Sequence, residues 1–480
     1  MKKHQLLSGI FIFMLVLVIV PKVTPGFQYD AAQAGTGDVI SFSENILLST
    51  RDTPYAHHVE PTLAISDNGT IFAGWKNSET HNGGGARVSV VKSVDGGVTW
   101  TDPYNMDKFN ELNTRQSDPW LVWHDDTLYY AYLEYTLAPG FTQLTVAQSN
   151  DYGESWNPVQ ASYNQYFADK ETMVIAEDGT VYLAYDDADV STSDGNVTLR
   201  VSRSTDGGLS FEEVGTIGLP DPGHLGPYLT FNSEGDLFVA WSWLNENYEG
   251  NIYVAKSTDG GETFDTPRLI NPEGNYSYFE NVNGYPGKST LPVIRFDEYG
   301  RMYLLWADKY EPDAHSLDVY MRISLDDGET WTQRYRVNPE TIGDQWQPDM
   351  DIDSEGRIHI VYYSEVFEEY RPFYVIVNMT GDEGDFPVFG DPIPIASETT
   401  SSDFTRPGDY FTIRLDSADI PHVVWSDGRN DEMDIYYAHG LLTSNQPTFP
   451  LFDAILLAIG TIVVVIAVVV LVYFAWKRRR

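Results

Sequence analysis

An octapeptide of the form Ser-x-Asp-x-Gly-x-[Ser/Thr]-[Trp/Phe] recurs at Ser93–Trp100, Ser149–Trp156, Ser204–Phe211, Ser257–Phe264 and Ser324–Trp331, with successive starts 56, 55, 53 and 67 residues apart. A degraded copy follows at Thr380–Phe386. A period of that size predicts an array of supersecondary units, each of which buries its apolar face only against its neighbours. The polar residues of the octapeptide fit a hairpin: Asp and Ser satisfy turn amides, and Gly supplies the backbone angle that other residues avoid.

Two further marks repeat in register with the octapeptide. An acidic-Gly turn followed by an alternating strand ending in an aromatic residue runs over Asp67–Trp75, Glu177–Tyr185, Ser233–Trp241, Asp297–Trp306 and Asp353–Tyr363. Weaker copies at His124–Tyr132 and Asp416–Trp425 bring the number of units to seven. Six of the seven open on an Xaa-Pro step: Glu60-Pro61, Asp118-Pro119, Gly226-Pro227, Leu291-Pro292, Gln347-Pro348 and Arg406-Pro407; Lys170-Glu171 fills the place in the remaining unit. Proline is tolerated at the first residue of a strand, so these steps are expected to begin the first strand of each unit. Four short antiparallel strands per unit, repeated radially, predict an all-β, seven-bladed β-propeller of four-stranded blades over residues 39–440. The seventh unit lacks an outer strand, and Val39–Ser49 is the segment expected to complete it and remove the open edge.

With five octapeptides in register, the chain resembles the Asp-box, or BNR-repeat, proteins of the sialidase superfamily. The resemblance implies that Asp95, Asp151, Asp206, Asp259 and Asp326 bond backbone amides and that Trp100, Trp156, Phe211, Phe264 and Trp331 pack between blades. The family includes sialidases, other glycoside hydrolases, sorting receptors and assembly factors, so the fold leaves the activity open.

The termini carry different information. Met1–Ala34 contains Lys2, Lys3 and an apolar run from Leu6 to Val20, read as a signal peptide or N-terminal anchor. Residues 441–453 read as a linker, 454–476 as an uncharged transmembrane helix, and the basic 477–480 as its cytoplasmic tail. The expected location is the cell membrane, single-pass, with the propeller outside. The 70 Asp and Glu against 30 Lys and Arg give a formal charge of −40, which excludes nucleic acid as a partner through repulsion. The absence of cysteine excludes disulfides, thiol nucleophiles and sulfur-bound zinc.

Function is expected on the face carrying the loops into the first strand and after the second, around the central channel. Carboxylates predominate there, together with Lys170 and the arginines Arg115, Arg406 and Arg429. Asp118 and Asp409, with Tyr410, are the candidate catalytic residues. Glu60, Arg115, Glu171, Asp349, Arg406, Asp427 and Arg429 are the candidate substrate-binding residues. Clustered carboxylates can shift one another's pKa and so provide the acid and base of glycoside hydrolysis; they can equally bind calcium or form a solvated rim. No metal ligand set is assigned, because no compact Asp-x-Asp-x-Asp-Gly loop is present.

The resemblance to sialidases implies three arginines on a substrate carboxylate, a Tyr nucleophile paired with a Glu, and an Asp acid/base. The Arg-Ile-Pro motif of those enzymes is replaced here by Tyr55-Ala-His-His-Val-Glu-Pro61, and seven blades stand where they have six. The expected function is therefore a membrane-anchored recognition module for an extracellular glycan or protein. The alternative is a sialidase-like glycoside hydrolase using the same carboxylates and arginines.

Overall fold

The computed structural model describes residues 39–442 apart from 50–54, 56, 80–84, 110–114, 137–141, 163–166, 189–196, 219–222, 245–248, 273–275, 278–279, 283–284, 289–290, 310–316, 341, 381–385, 402–406 and 431. The N-terminal leader, most of the linker, the 454–476 stretch and the basic tail lie outside these residues. Among the described residues no helix is long and apolar enough to cross a membrane.

Seven antiparallel sheets, each with at least four strands, follow one another along the chain. Their innermost strands are His57–Ile65, Arg115–His124, Phe167–Ile175, His224–Phe231, Val293–Phe296, Gln345–Ile352 and Thr412–Leu415, here the inner strands of blades 1 to 7. In the last blade the strand order ends on Val39–Phe42, which pairs with Asp434–Leu442 (Val39 opposite Leu442, Phe42 opposite Gly440). Ile46 and Leu47 continue the pairing against Tyr437 and Tyr436. Ser49 then bonds Asp434 at 3.0 Å. The N-terminal segment thus closes the ring. The longer 67-residue spacing between the fourth and fifth octapeptides is taken up by an extra ribbon, Glu280–Val282 with Tyr285–Lys288, between blades 4 and 5.

The second strands supply the core. Trp75, Trp241, Trp306 and Trp425 are fully buried near their ends, and each such ring removes roughly 150–250 Å² from water, worth about 4–6 kcal/mol at 25 cal/mol per Å². A buried indole N–H needs an acceptor. Trp75 Nε1 donates to Asn77 at 2.8 Å, Trp241 to His224 Nδ1 at 2.9 Å, and Trp425 to Asp427 at 3.0 Å.

The octapeptides form the expected hairpins. Asp95 accepts from Ser93 Oγ at 2.8 Å, Thr99 N at 2.9 Å and Thr99 Oγ1 at 2.6 Å, while Ser93 Oγ accepts from Gly97 N at 2.9 Å. The same set recurs around Asp151, Asp206, Asp259 and Asp326. Trp100 meets Tyr437 of the last blade edge-on at 4.9 Å, so this aromatic does pack between blades. Residues 381–385 of the degraded copy lie outside the description.

The Xaa-Pro steps depart from expectation. In blades 1, 2, 4 and 6 the strand begins three or four residues before the proline, and Pro61, Pro119, Pro227 and Pro348 lie inside it. Each sits at a register shift between the first two strands, between Val59 and Thr62, Ser117 and Trp120, Leu225 and Tyr228, and Trp346 and Asp349. A bulge takes one residue out of the ladder, so proline forfeits no hydrogen bond there. The residue before it turns left-handed: Glu60 at φ 57°, Asp118 at 51°, Gly226 at 63° and Gln347 at 54°. Blade 3 has the same bulge without proline, with Lys170 at φ 52°.

Candidate functional site

The bulges decide which side chains meet in the channel. Glu60 and Asp118 occupy the left-handed positions of blades 1 and 2, and Asp409 follows the left-handed Gly408 just before the inner strand of blade 7. One oxygen from each of the three carboxylates lies within 4.8 Å of the others, and all three residues are buried. The Lys76 ammonium, from the second strand of blade 1, donates to Glu60 at 3.1 Å. Lys170, on the bulge of blade 3, donates to Asp409 at 2.5 Å. Tyr410, half-buried, donates its hydroxyl to the carbonyl of Pro119, the neighbour of Asp118, at 3.2 Å. Trp120 stands edge-on to both Tyr410 and Tyr228.

Blade 3 adds Asp169, Glu171 and Asp186 to the same wall, and among the described residues Lys76 and Lys170 are the lysines bonded to this group. Burial, partly opposed by Lys76 and reinforced by Asp118 and Asp409, pushes the Glu60 carboxyl up to about 7. Burial and the neighbouring Asp118 raise Asp169 to about 6. Glu171 and Asp186 are raised well above the usual carboxylate range, again chiefly by burial. Tyr410 is driven far above the usual phenol value by burial and the surrounding acids, so it remains a neutral hydroxyl. Near neutral pH the cluster therefore holds both protonated and ionised carboxyls, the division of labour that acid–base catalysis requires.

Beneath the cluster the channel narrows to a cavity of about 50 Å³, lined among others by Lys170, Glu171, Tyr228, Gln347 and Asp409. That admits a few water-sized groups, whereas a small-molecule ligand needs roughly 300 Å³ or more. A second cavity, near 430 Å³, is lined by apolar side chains such as Leu63, Trp123 and Phe231, with Arg295 and Arg414.

Of the remaining candidates, Asp349 also lines the cavity beneath the cluster. It faces blade 7, accepting from Ile413 N at 3.1 Å and Arg414 at 3.2 Å. Asp427 accepts from Trp425, Thr400 and Arg429, and Arg429 also reaches Asn45 and Ser397 on the outer side of the last blade. Arg115 approaches Glu79 at 3.3 Å. Arg406 lies outside the described residues. Lys76 was missing from the sequence-based candidates; its signal was the cation directly after the apolar IFAGW run of the same strand, where a buried lysine requires an anion.

Residues 24–239 match the family described as BNR repeat-like domain. Among solved structures, the chain is similar to a protein of unknown function from Dyadobacter fermentans, with 18% identity, 69% of this chain and 96% of that one covered, and a TM-score of 0.50. It is also similar to a Penicillium chrysogenum alpha-L-arabinanase complexed with arabinobiose (17% identity, 68% and 94% covered, TM-score 0.46) and to a Trypanosoma rangeli sialidase in complex with sialic acid (14%, 72% and 59%, TM-score 0.46). Likeness at these identities extends to the fold. No curated protein matches the chain.

Proposed function

We propose that this chain, a BNR-repeat β-propeller similar over residues 24–239 to the BNR repeat-like family and in fold to sialidases, hydrolyses a neutral glycoside at the carboxylate cluster on its channel face. The observation that carries this reading is the convergence of Glu60, Asp118 and Asp409 from three blades to within 4.8 Å. Glu60, raised to about 7, retains the proton that a departing glycosidic oxygen needs. Asp118 lies close enough to attack the anomeric carbon, forming a glycosyl ester as the bond to the leaving group breaks and Glu60 gives up its proton. Water then hydrolyses the ester, with Glu60 taking the proton back. Carboxyls with oxygens this close match the short separation of retaining enzymes, so retention of configuration is expected. Tyr410, a neutral hydroxyl bonded to the Pro119 carbonyl, and Trp120, edge-on to it, form the wall beside the carboxyls.

A neutral sugar is favoured over sialic acid. Arg115 and Arg429 are engaged by Glu79 and Asp427 on different blades, and a chain of formal charge −40 repels an anionic substrate. A second reading, glycan or protein recognition without turnover, is supported by the lysines, which neutralise Glu60 and Asp409 as a purely structural site would. In either case the proposed setting is the outer membrane surface, with residues 454–476 as the span. Protease treatment of intact cells should then remove the propeller and spare the basic tail.

The test is turnover by the purified full-length chain on aryl glycosides, neutral furanosides and pyranosides beside sialosides. Hydrolysis of a neutral member, abolished in Asp118→Asn and Glu60→Gln, supports the enzyme. Absence of turnover together with retained binding on a glycan array refutes it in favour of recognition.

A further inference from the structure

We infer that the second cavity, surrounded by the inner strands of blades 1 to 5 and 7, binds an organic carboxylate, with its apolar body against Leu63, Trp123 and Phe231 and its carboxylate on Arg295 and Arg414. The first ground is size and lining. A volume near 430 Å³ falls in the range of small-molecule sites, roughly 300–1,000 Å³, which are mostly apolar with a few placed polar groups. The chain has 70 Asp and Glu, yet among the described residues none of them lines this cavity, whose charged members are the two arginines. Each stands third in a short inner strand, Val293–Phe296 or Thr412–Leu415, at the level where blades 1 to 3 carry Ala64, Val122 and Val174.

The second ground is unused hydrogen-bonding capacity. A guanidinium presents five donors in a planar fork that matches the two oxygens of a carboxylate. Arg414 meets Asp349 at 3.2 Å and the Ile413 carbonyl at 2.6 Å through the same terminal nitrogen, which leaves the rest of its fork for the cavity it lines. Arg295 makes no hydrogen bond among the described residues; its guanidinium rests on the Tyr228 ring at 4.9 Å, a contact that fixes its plane and uses none of its donors. Asp349 is electrostatically close to both arginines, but of the two it bonds Arg414 alone. Asp351, level with them in blade 6, accepts from the amides of Ile352 and Leu415 at 3.1 and 2.9 Å. These acids moderate the charge without filling the forks. The net charge of −40 acts on approach and is screened beyond about 10 Å by salt. The acids that repel an anion at the carboxylate cluster have no counterpart in this lining. The site does not depend on whether that cluster turns over a substrate.

The full-length chain is titrated by calorimetry with phenylpropanoate and with hexanoate, beside phenylpropanamide as the uncharged match and acetate as the headgroup alone. Expected is one bound acid per chain, with the amide and acetate each weaker by at least about tenfold. Binding of either acid supports the site, and the tighter of the two tells an aromatic from an aliphatic source. Arg295→Met, which removes a guanidinium without protein hydrogen bonds, should weaken the acid at least about tenfold, and Arg295→Lys should fall between. Asp118→Asn, which strikes the carboxylate cluster, should leave this binding unchanged, so the two sites fail separately. If Arg295→Met does not fold, the contrast between acid, amide and acetate in the wild type decides. No binding of either acid, an amide or acetate bound as tightly, undiminished binding by folded Arg295→Met, or its loss in Asp118→Asn would overturn the assignment.

Discussion

Glu60 links the protonation of the candidate site to the stability of the whole ring. Its carboxyl is carried from 4.5 to about 7 by burial, with Lys76 opposing and Asp118 and Asp409 reinforcing the change. Between those pH values the native chain keeps a proton that the unfolded chain has released. The resulting stability is complete below pH 4.5 and is lost as pH climbs through 7, by an amount near 3 kcal/mol. Asp169, raised to about 6, acts in the same direction. His57, His58 and His439 oppose it: burial lowers their pKa values, so the unfolded chain binds more protons below 6.5 and stability rises with pH there.

The opposing contributions cancel in a difference between wild type and Glu60→Gln. The variant keeps a neutral acceptor opposite Lys76, as the protonated carboxyl does, so no fixed offset from a broken ion pair is expected; only the slope is diagnostic. Urea unfolding followed by tryptophan fluorescence at pH 4.5, 6, 7.5 and 9 should show the wild-type advantage shrinking by about 3 kcal/mol across the range, with most of the loss below pH 7.5. An advantage that stays constant, or grows with pH, would mean that Glu60 is ionised throughout, and the proton donor assigned above would not exist.

Deleting residues 39–49 should expose the edge of Asp434–Leu442, and size-exclusion chromatography should find aggregates in place of a monodisperse ring. Gly97→Ala should cost about 2–4 kcal/mol by urea unfolding, because φ is +89° and a Cβ would stand 2.1 Å from Tyr437 Oη. Gly69→Ala, at φ +83° with nothing within 4 Å, should cost only about 1–2 kcal/mol. Asp95, Asp151 and Asp206 are held at about 2 by hydrogen bonds from their own turns. Their contribution is present above pH 4 and is lost as pH falls toward 2, so Thr99→Val should move the acid-unfolding midpoint upward in circular dichroism.

The parts legible in the sequence were those whose chemistry is local. The octapeptide states its own hairpin, since Ser93, Asp95, Gly97 and Thr99 bond to one another within five residues. The closing strand was visible because the seventh unit lacked one. The functional groups required knowledge of distance across the ring. Asp349 lines the axial cavity, and its pairing with Arg414, 65 residues away, is visible only in the fold. Asp427 looks like a loop acid until Trp425, two residues back, is seen to donate to it. Lys76 reads as a defect in an apolar strand, and only the fold brings Glu60 beneath it.

The misplaced proline carries the most information about how fold and site are joined. A left-handed residue costs about 1–3 kcal/mol unless it is glycine, and a following proline disfavours helical backbone further. Gly226 adopts that conformation in blade 4 without side-chain strain. Glu60, Asp118, Lys170 and Gln347 occupy equivalent bulges where glycine would be easier. Every one of these four side chains reaches either the carboxylate cluster or the cavity beneath it. Blade 4 shows that the bulge itself needs no side chain, and there Leu291 fills the space a Cβ would take. The strain falls where a functional group must point inward, and the bulge is the device that turns it from the ladder toward the axis.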